Sequence, residues 1–282
     1  MDGWATIALR FAAYADLMLL AGLVVPLGLP LPASAKRTIL GLAVAGIVIA
    51  VAQFGFTALA MVGGDRALLD PAMLWFLAFD TAMGAATAVR IVALAAVVLA
   101  IGRARLRPWF ALIALGSLAW QGHAGATEAA AGVAHRVSDV AHLVAGAVWL
   151  GALVRLLRAA ANSAVAPTVL LSAMRRFSPI GTVIVAALGA SGVADLLLIA
   201  DPLALRNPYG ALLALKLVLF GAMLSLAAAN RWRLIPRLAR ALDDGAPESA
   251  IAAIRRSLAV ELALGVGVLG CVALLGTLDP AG

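Results

Sequence analysis

Long apolar runs, separated by short polar or proline-containing breaks, occupy most of this chain of 282 residues. A hydrocarbon core of roughly 30 Å requires about 20 helical residues, and most of the apolar runs are close to this length. We therefore predict an all-α protein, a polytopic transmembrane helical bundle of about eight spans that forms a single membrane domain over residues 1–282. The predicted spans are 5–29, 38–62, 72–101, 108–122, 137–158, 177–200, 209–230 and 257–278.

The composition indicates that lipid is the main solvent of these helices. Hydrophobic residues make up 64% of the chain and charged residues 12%, about half the charged share of an ordinary soluble domain. The first apolar run lacks a basic leader and a clear small-residue cleavage site, so we expect it to be a retained span. The single cysteine, Cys271, excludes an intramolecular disulfide and a CxxC metal site.

The basic residues are concentrated in alternate loops. Of the 21 lysine and arginine residues, 15 lie in the four loops that follow the odd-numbered spans: 36–37, 103–107, 155–176 and 231–256. Because cytoplasmic loops retain positive charge, we predict that these loops are cytoplasmic and that both termini are periplasmic. The net charge of +7 is then a topology signal, so we expect contacts with membrane lipid and no nucleic-acid partner.

Ionisable side chains inside the predicted spans need an explanation, because each costs at least roughly 2.5 to 3.5 kcal/mol at the bilayer centre. Snorkelling to the interface is one explanation for Arg10, Lys216 and Glu261. The shorter aspartates cannot snorkel far, so either a structural contact, such as an ion pair with Arg90 or Arg10, or a functional role explains them. The intramembrane polar candidates are Asp16, Asp80, Arg90, Asp195 and Lys216.

All three histidines of the chain lie on the predicted periplasmic side, at the end of the fourth span and the start of the fifth. Four side chains of the fifth span share one helical face, at about 0°, 40°, −20° and −40° for His135, Asp139, His142 and Trp149. Imidazole is a ligand for copper, zinc, iron and nickel, and a nearby carboxylate can fix its tautomer. The predicted metal site consists of His123, His135, His142 and Asp139. The alternative is that each histidine is only an interfacial polar residue.

Four methionines lie in the first three spans and their outer connection. Thioether is a soft ligand that favours Cu(I) over zinc. None of these methionines has a tight MxxM spacing, however, and each is also explained as ordinary apolar filler. The candidates for additional copper contacts or for a copper pathway are Met18, Met61, Met73 and Met83.

Several segments resemble the copper-resistance D (CopD) family of inner-membrane proteins. The strongest likeness falls within residues 108–236, in GHA at 122–124, HLVAGAVWLGAL at 142–153, RFSPIG at 176–181 and YGALLALKLVLFGAMLSLAAANRWRLIP at 209–236. Weaker likeness is found in RFAAYADLMLLAG near the start and in MGAATAVRIVAL of the third span. The resemblance thus extends over nearly the whole chain.

This resemblance implies a protein of the bacterial inner membrane that moves copper from the periplasm to the cytoplasm and contributes to copper homeostasis or resistance. It also implies a periplasmic copper-binding partner of the CopC type, and copper contacts for His123 and His142. Other matching positions, whose role the family leaves open, are Trp149, Lys216, Asn230 and Arg231. Methionine motifs and cysteine are scarce, so a complete soft-ligand pathway is not visible.

The leading hypothesis is a copper permease that is not an enzyme, since the sequence has no HExxH, GxSxG or Walker motif. A membrane haem-b electron carrier is an alternative from another class, with His123 and His142 as axial ligands of the haem. A copper sensor or an assembly factor for a copper enzyme is a third hypothesis. The sequence leaves open the transport direction, the copper oxidation state, the coupling ion and the oligomeric state.

Overall fold

The computed structural model describes residues 3–26, 28, 34–65, 68–121, 129–199 and 207–278, apart from the side chains of 129–131 and 197–199. All regular elements in these ranges are helical. They are α1 (Gly3–Val24), α2 (Ser34–Met61), α3 (Pro71–Phe79), α4 (Ala82–Leu99), α5 (Arg107–Gly116), α6 (Ala129–Ala161), α7 (Pro167–Ile199), α8 (Pro208–Ala229), α9 (Ile235–Asp243) and α10 (Glu248–Leu275). A 3₁₀ turn, Ser117–Trp120, follows α5, and a π-helical turn, Asn230–Leu234, joins α8 to α9.

Seven helical segments of the described chain are long and apolar enough to cross a membrane. They are Gly3–Val24, Ser34–Met61, Ala82–Leu99, Gly132–Ala161, Pro167–Leu196, Pro208–Asp243 and Glu248–Leu275. The all-α, polytopic membrane fold is thereby confirmed. The segment predicted to span at 108–122 contains α5 and its 3₁₀ turn, which together are about 23 Å long and so shorter than the hydrocarbon core. The periplasmic location of both termini requires an even number of crossings, and so it requires the 108–122 segment to cross the membrane together with the seven long helices; it stays a prediction.

The segment predicted as one span over 72–101 is divided into α3 and α4. Thr81 starts α4, because its Oγ1 accepts a hydrogen bond from the Gly84 amide at 3.0 Å and so satisfies one of the free donors of the new helix. A Cβ at Gly84 would lie 2.2 Å from the carbonyl oxygen of Leu77, so a glycine is needed where the end of α3 approaches α4. Asp80 consequently lies exposed at this break.

The centre of the bundle is formed by α1, α6 and α10. α1 packs against α2, α5, α6 and α10, while α6 also packs against α7 and α10 packs against α8. α1 and α6 cross at a pair of glycines: a Cβ at Gly22 would lie 2.0 Å from the Ala147 carbonyl oxygen and 2.9 Å from the Gly151 Cα. Small residues allow such close contact, which stabilises helix pairs in lipid through van der Waals packing.

Buried apolar side chains form two clusters, to both of which α6 contributes. The first joins α6 to α1, α2, α4 and α5, and includes the fully buried Leu94 and Leu115. The second joins α6 to α7, α9 and α10, and includes the fully buried Leu238 and Ile254. α6 therefore connects the two halves of the bundle, and its polar face lies between them.

Candidate functional site

The polar stripe predicted on the fifth span lies on α6 and faces the inside of the bundle. His135 is 2% exposed, Trp149 is 5% exposed, and Asp139 and His142 are half-buried. α6 is continuous through this region because the segment is rich in alanine and contains no proline. One rigid helix therefore positions all four side chains along one line.

Two neighbouring helices bring charged side chains to the stripe. Asp139 interacts electrostatically with His135 on its own helix, with Asp195 of α7 and with Lys216 of α8. Lys216 also interacts electrostatically with Asp195 and with His142. This part of the site, the outer cluster, thus combines two imidazoles, two carboxylates and one ammonium group: His135, Asp139, His142, Asp195 and Lys216.

His142 has a hydrogen-bond partner on α7, the hydroxyl of Ser191. The Nδ1 atom of His142 lies 2.9 Å from Ser191 Oγ, and that hydroxyl donates its proton to the Ala187 carbonyl oxygen at 2.7 Å. A hydroxyl has only one proton, so a Ser191 hydroxyl that donates to Ala187 can only accept from His142, and this arrangement favours the tautomer with the proton on Nδ1. The Nε2 atom of a neutral His142 then has the free lone pair that a metal ligand requires.

Ser191 is a site residue that the sequence alone does not single out. Serine is common in membrane helices, where its hydroxyl bonds to the carbonyl of the preceding turn. One signal was available: Ser191 lies four residues before Asp195, on the same face of α7. Ser138 of α6 donates to the Ser191 carbonyl oxygen at 3.3 Å, so two hydrogen bonds connect α6 and α7 at the level of His142.

A complete metal-ligand set is not formed by the described residues. Within them, no group of three His, Cys, Asp or Glu side chains is arranged to hold a metal ion. His123 lies outside the described residues. The predicted pairing of His123 with His142 as axial ligands of a haem therefore also falls outside them. The structure does bring His135, Asp139 and His142 onto one buried face, and their joint role as ligands stays a prediction.

The four candidate methionines have different surroundings. Met18 of α1 is buried, and its Cε lies 2.7 Å from the position of a Cβ at Gly146, one turn beyond His142 on α6. Met61 is 61% exposed and Met73 is 38% exposed, while Met83 is half-buried in α4. Met18 is thus placed against the face of α6 that carries His142.

A separate polar cluster surrounds Arg90 of α4, which is 1% exposed. Its guanidinium group donates to Ser117 Oγ at 2.9 Å, to Gln121 Oε1 at 2.8 Å and to Gln53 Oε1 at 3.3 Å. These three neutral acceptors satisfy the buried cation with charge-assisted hydrogen bonds and connect α4 to α2 and to the turn after α5.

The ion pair suggested for Arg90 with Asp16 or Asp80 is not formed. Asp80 lies exposed at the start of α4, where the break in the predicted span separates it from the bundle interior. Asp16 is buried on α1, but it faces Gly46 of α2, and its Oδ2 has no hydrogen-bond partner in the described part of the chain. The burial of Arg90 therefore depends on neutral groups.

A further cluster, the inner cluster, joins Trp149, Asn230 and Glu261. Trp149 Nε1 donates to Glu261 Oε1 at 2.8 Å, and Asn230 Nδ2 donates to Glu261 Oε2 at 3.0 Å. Glu261 is 1% exposed, so the explanation by snorkelling is wrong for it. α10 begins at Glu248 rather than near 257, so Glu261 lies in the middle of the helix, where it is bonded to Trp149 of α6.

The position of Asn230 follows from the π-helical turn Asn230–Leu234. Pro236 has no amide proton, and its ring crowds the carbonyl group of Trp232, four residues earlier, so the helix widens just before it. The Ile235 amide accordingly donates to the Asn230 carbonyl oxygen, five residues back. Asn230 is 7% exposed as a result, and π turns of this kind occur frequently at functional sites.

The chain is similar to known proteins along almost its entire length. The family profile described as "Copper resistance protein D" matches residues 171–275, and the profile described as "Copper resistance protein D-like, N-terminal domain" matches residues 1–133. The chain is 34% identical to Copper resistance protein D of Pseudomonas syringae pv. tomato, over 99% of this chain and 98% of that protein. It is 33% identical to Inner membrane protein YebZ of Escherichia coli (strain K12), over 58% of this chain and 55% of that protein. No solved structure matches the chain.

Proposed function

This chain belongs to the copper resistance protein D family, and on that basis we propose that it is an inner-membrane permease that moves copper from the periplasm to the cytoplasm. Copper is the transported substrate, and its movement contributes to copper homeostasis or resistance. The description of the Escherichia coli relative as an inner membrane protein and the seven apolar helices of the described chain support a multi-pass location in that membrane.

The observation that carries the proposal is the hydrogen bond between His142 and Ser191. It favours the tautomer of His142 whose free lone pair is on Nε2, and imidazole nitrogen is a suitable ligand for copper. Asp139 and Asp195 lie nearby and provide negative charge that attracts a cation. When ionised, these two carboxylates outnumber the one ammonium group of the cluster, Lys216, which acts directly on His142, so the outer cluster combines a nitrogen ligand with an excess of negative charge.

Transport through this protein is proposed to be non-enzymatic. The sequence contains no Walker motif, so copper movement would be passive or driven by an ion gradient or the membrane potential. The loops rich in arginine predict that the histidine end of α6 faces the periplasm, where copper is captured. A periplasmic copper-binding protein of the CopC type is the proposed donor of copper to this end.

Copper uptake by proteoliposomes tests the proposal. The purified wild type is compared with His142→Ala, and with Val137→Ala as a matched control, because Val137 lies on the same helix but is 64% exposed. We expect the wild type and V137A to accumulate copper, and H142A to accumulate no more than protein-free vesicles, because it lacks the prepared nitrogen ligand.

Two results would contradict the proposal. Uptake by H142A at the wild-type rate would remove His142 from the copper site. A Soret band in the absorption spectrum of the purified wild type, lost in H142A, would identify a haem-b electron carrier instead. Membrane insertion is checked for each variant by its yield and its elution volume in detergent.

A further inference from the structure

A cavity of about 330 Å³ lies beyond the outer cluster, between α6, α7, the end of α8, the π-helical turn and α10. Its lining is mostly apolar, with Leu153, Phe177 and Leu258 among the contributing side chains. The polar part of the lining consists of the inner cluster and of Ser178, Thr182 and Arg231. The guanidinium group of Arg231 donates to Thr182 Oγ1 and to the Ser178 carbonyl oxygen, so it is bonded to α7 and not to Glu261. Ligand sites in proteins have this character, with an apolar wall and a few well-placed polar groups.

The polar groups at this cavity have unused acceptor capacity. Asn230 Nδ2 donates to Glu261, while the Oδ1 atom of Asn230 is buried and has no hydrogen-bond partner among the described residues. Both oxygens of Glu261 receive hydrogen bonds, but from neutral donors, and no cationic side chain of the described chain forms an ion pair with it. A buried carboxylate charge is unfavourable unless a cation or a proton balances it.

The donors around the cavity point to a metal cation. Oxygen atoms come from Glu261 and from the amide of Asn230, and the thioether of Met174, which is 4% exposed, also lines the cavity. Thioether selects copper over harder cations, and a carboxylate neutralises its charge. Since Trp149 and Asn230 already hold the carboxylate in place, little rearrangement is needed for an ion to bind.

The location of the cavity connects it with the outer cluster. Trp149 lies seven residues after His142 on α6, which corresponds to about 10 Å along the helix and nearly the same face. Met18 packs against Gly146 between these two levels, so a thioether lies close to the line that joins the two clusters. An ion released from His142 thus has a soft donor on its way to Glu261.

We infer that this cavity is a second copper site, at which Glu261, the Oδ1 atom of Asn230 and Met174 bind the ion after it leaves the outer cluster. The inference rests on the proposed transport function and adds to it an inner binding site. Two oxygen donors hold copper less tightly than imidazole nitrogens do, so the ion is bound more weakly here than at the outer cluster. Conduction requires sites weak enough to release the ion, and the inner site meets that requirement.

Titration of the purified full-length protein with Cu(I), in competition with a chelator of known affinity, tests this inference. We expect the wild type to bind two ions, one tightly and one more weakly. Glu261→Gln keeps the size of the side chain and removes its charge, and we expect it to lose the weaker event and retain the tighter one. Glu248→Gln is the matched control, since Glu248 lies on the same helix but is exposed. H142A should show the reverse of E261Q, losing the tighter event.

A second variant keeps the test decisive if E261Q does not fold. Met174→Leu preserves the apolar volume, and we expect it to weaken only the second event. Met223→Leu, at a buried methionine that does not line the cavity, leaves both events unchanged. In proteoliposomes, E261Q should lose copper uptake while it still binds one ion.

The outcomes separate this inference from the proposed function. Two bound ions in E261Q, or an unchanged second event in both E261Q and M174L, would overturn the inner site. A single ion in the wild type, lost in H142A and unaffected by E261Q, would also overturn it and leave the permease proposal standing. A wild-type protein that neither binds nor transports copper would overturn both.

Discussion

Ser191→Ala tests whether one hydrogen bond prepares His142 to bind copper. The change removes the oxygen that lies 2.9 Å from His142 Nδ1. It is expected to leave α7 folded, because alanine has the highest helix propensity and the hydroxyl otherwise bonds only within its own helix, to Ala187 and Leu188. Without this partner, the proton of a neutral His142 is free to occupy either nitrogen, and the ring loses an orienting contact.

The expected loss can be estimated from similar sites in other proteins. Removal of the outer partner of a metal-binding histidine weakens metal affinity by about 10- to 100-fold, or about 1.4 to 2.7 kcal/mol. We expect S191A to bind Cu(I) more weakly by this factor in the chelator competition. Ser225→Ala is the matched control, because the Ser225 hydroxyl likewise bonds to a carbonyl four residues back, at 2.9 Å, but is exposed and has no histidine partner.

Nitrogen NMR of ¹⁵N-histidine-labelled protein, measured without copper, separates this effect from a general loss of structure. We expect the proton on Nδ1 of His142 in the wild type and in S225A, and a mixture of tautomers in S191A. Equal affinity of S191A and the wild type in the tighter Cu(I) binding event would refute the reasoning, provided that H142A loses that event. A wild-type spectrum with the proton on Nε2 would refute it independently of affinity.

Two further predictions concern stability, measured by thermal unfolding in detergent. Arg90→Ala removes three charge-assisted hydrogen bonds and leaves buried acceptors unpaired, so we expect the free energy of unfolding to fall by at least about 3 kcal/mol. Arg103→Ala, at an exposed position, is the control and should have little effect. Gly22→Ala places a Cβ 2.0 Å from the Ala147 carbonyl oxygen and forces α1 away from α6, so we expect the free energy of unfolding to fall by about 1 to 3 kcal/mol. Gly41→Ala is the control, because a Cβ at Gly41 meets no atom within 4 Å. Equal melting temperatures for a variant and its control would contradict the corresponding contact.

The helices of this protein could be predicted from hydropathy where an apolar run and a helix coincide. α1 and α2 follow this rule, since each is an apolar segment bounded by prolines or glycines. The break between α3 and α4 does not follow it, because only Asp80 and Thr81 interrupt the long apolar run at that point. A hydropathy profile does not register that a threonine caps a helix or that a backbone passes too close for a side chain.

The residues of the candidate site likewise include some that could be predicted from the sequence and some that could not. The order of His135, Asp139 and His142 along α6 could be predicted because helical periodicity fixes neighbours within one helix. The roles of Ser191 and Glu261 could not, because each depends on which helix packs against α6 and at what height. A span that begins at 257 predicts a Glu261 that snorkels to the interface, whereas the contacts with Trp149 and Asn230 bury it.

The spacing of the two clusters on α6 has a mechanical consequence for the proposed route. Because His142 and Trp149 are seven residues apart, their directions differ by only about 20°, and both clusters open toward the same side of the helix. Gly146 lies between them, and its lack of a side chain lets Met18 approach the backbone of α6. An ion that moves from one cluster to the other therefore travels along a single rigid helix, past a thioether, and does not require α6 to rotate.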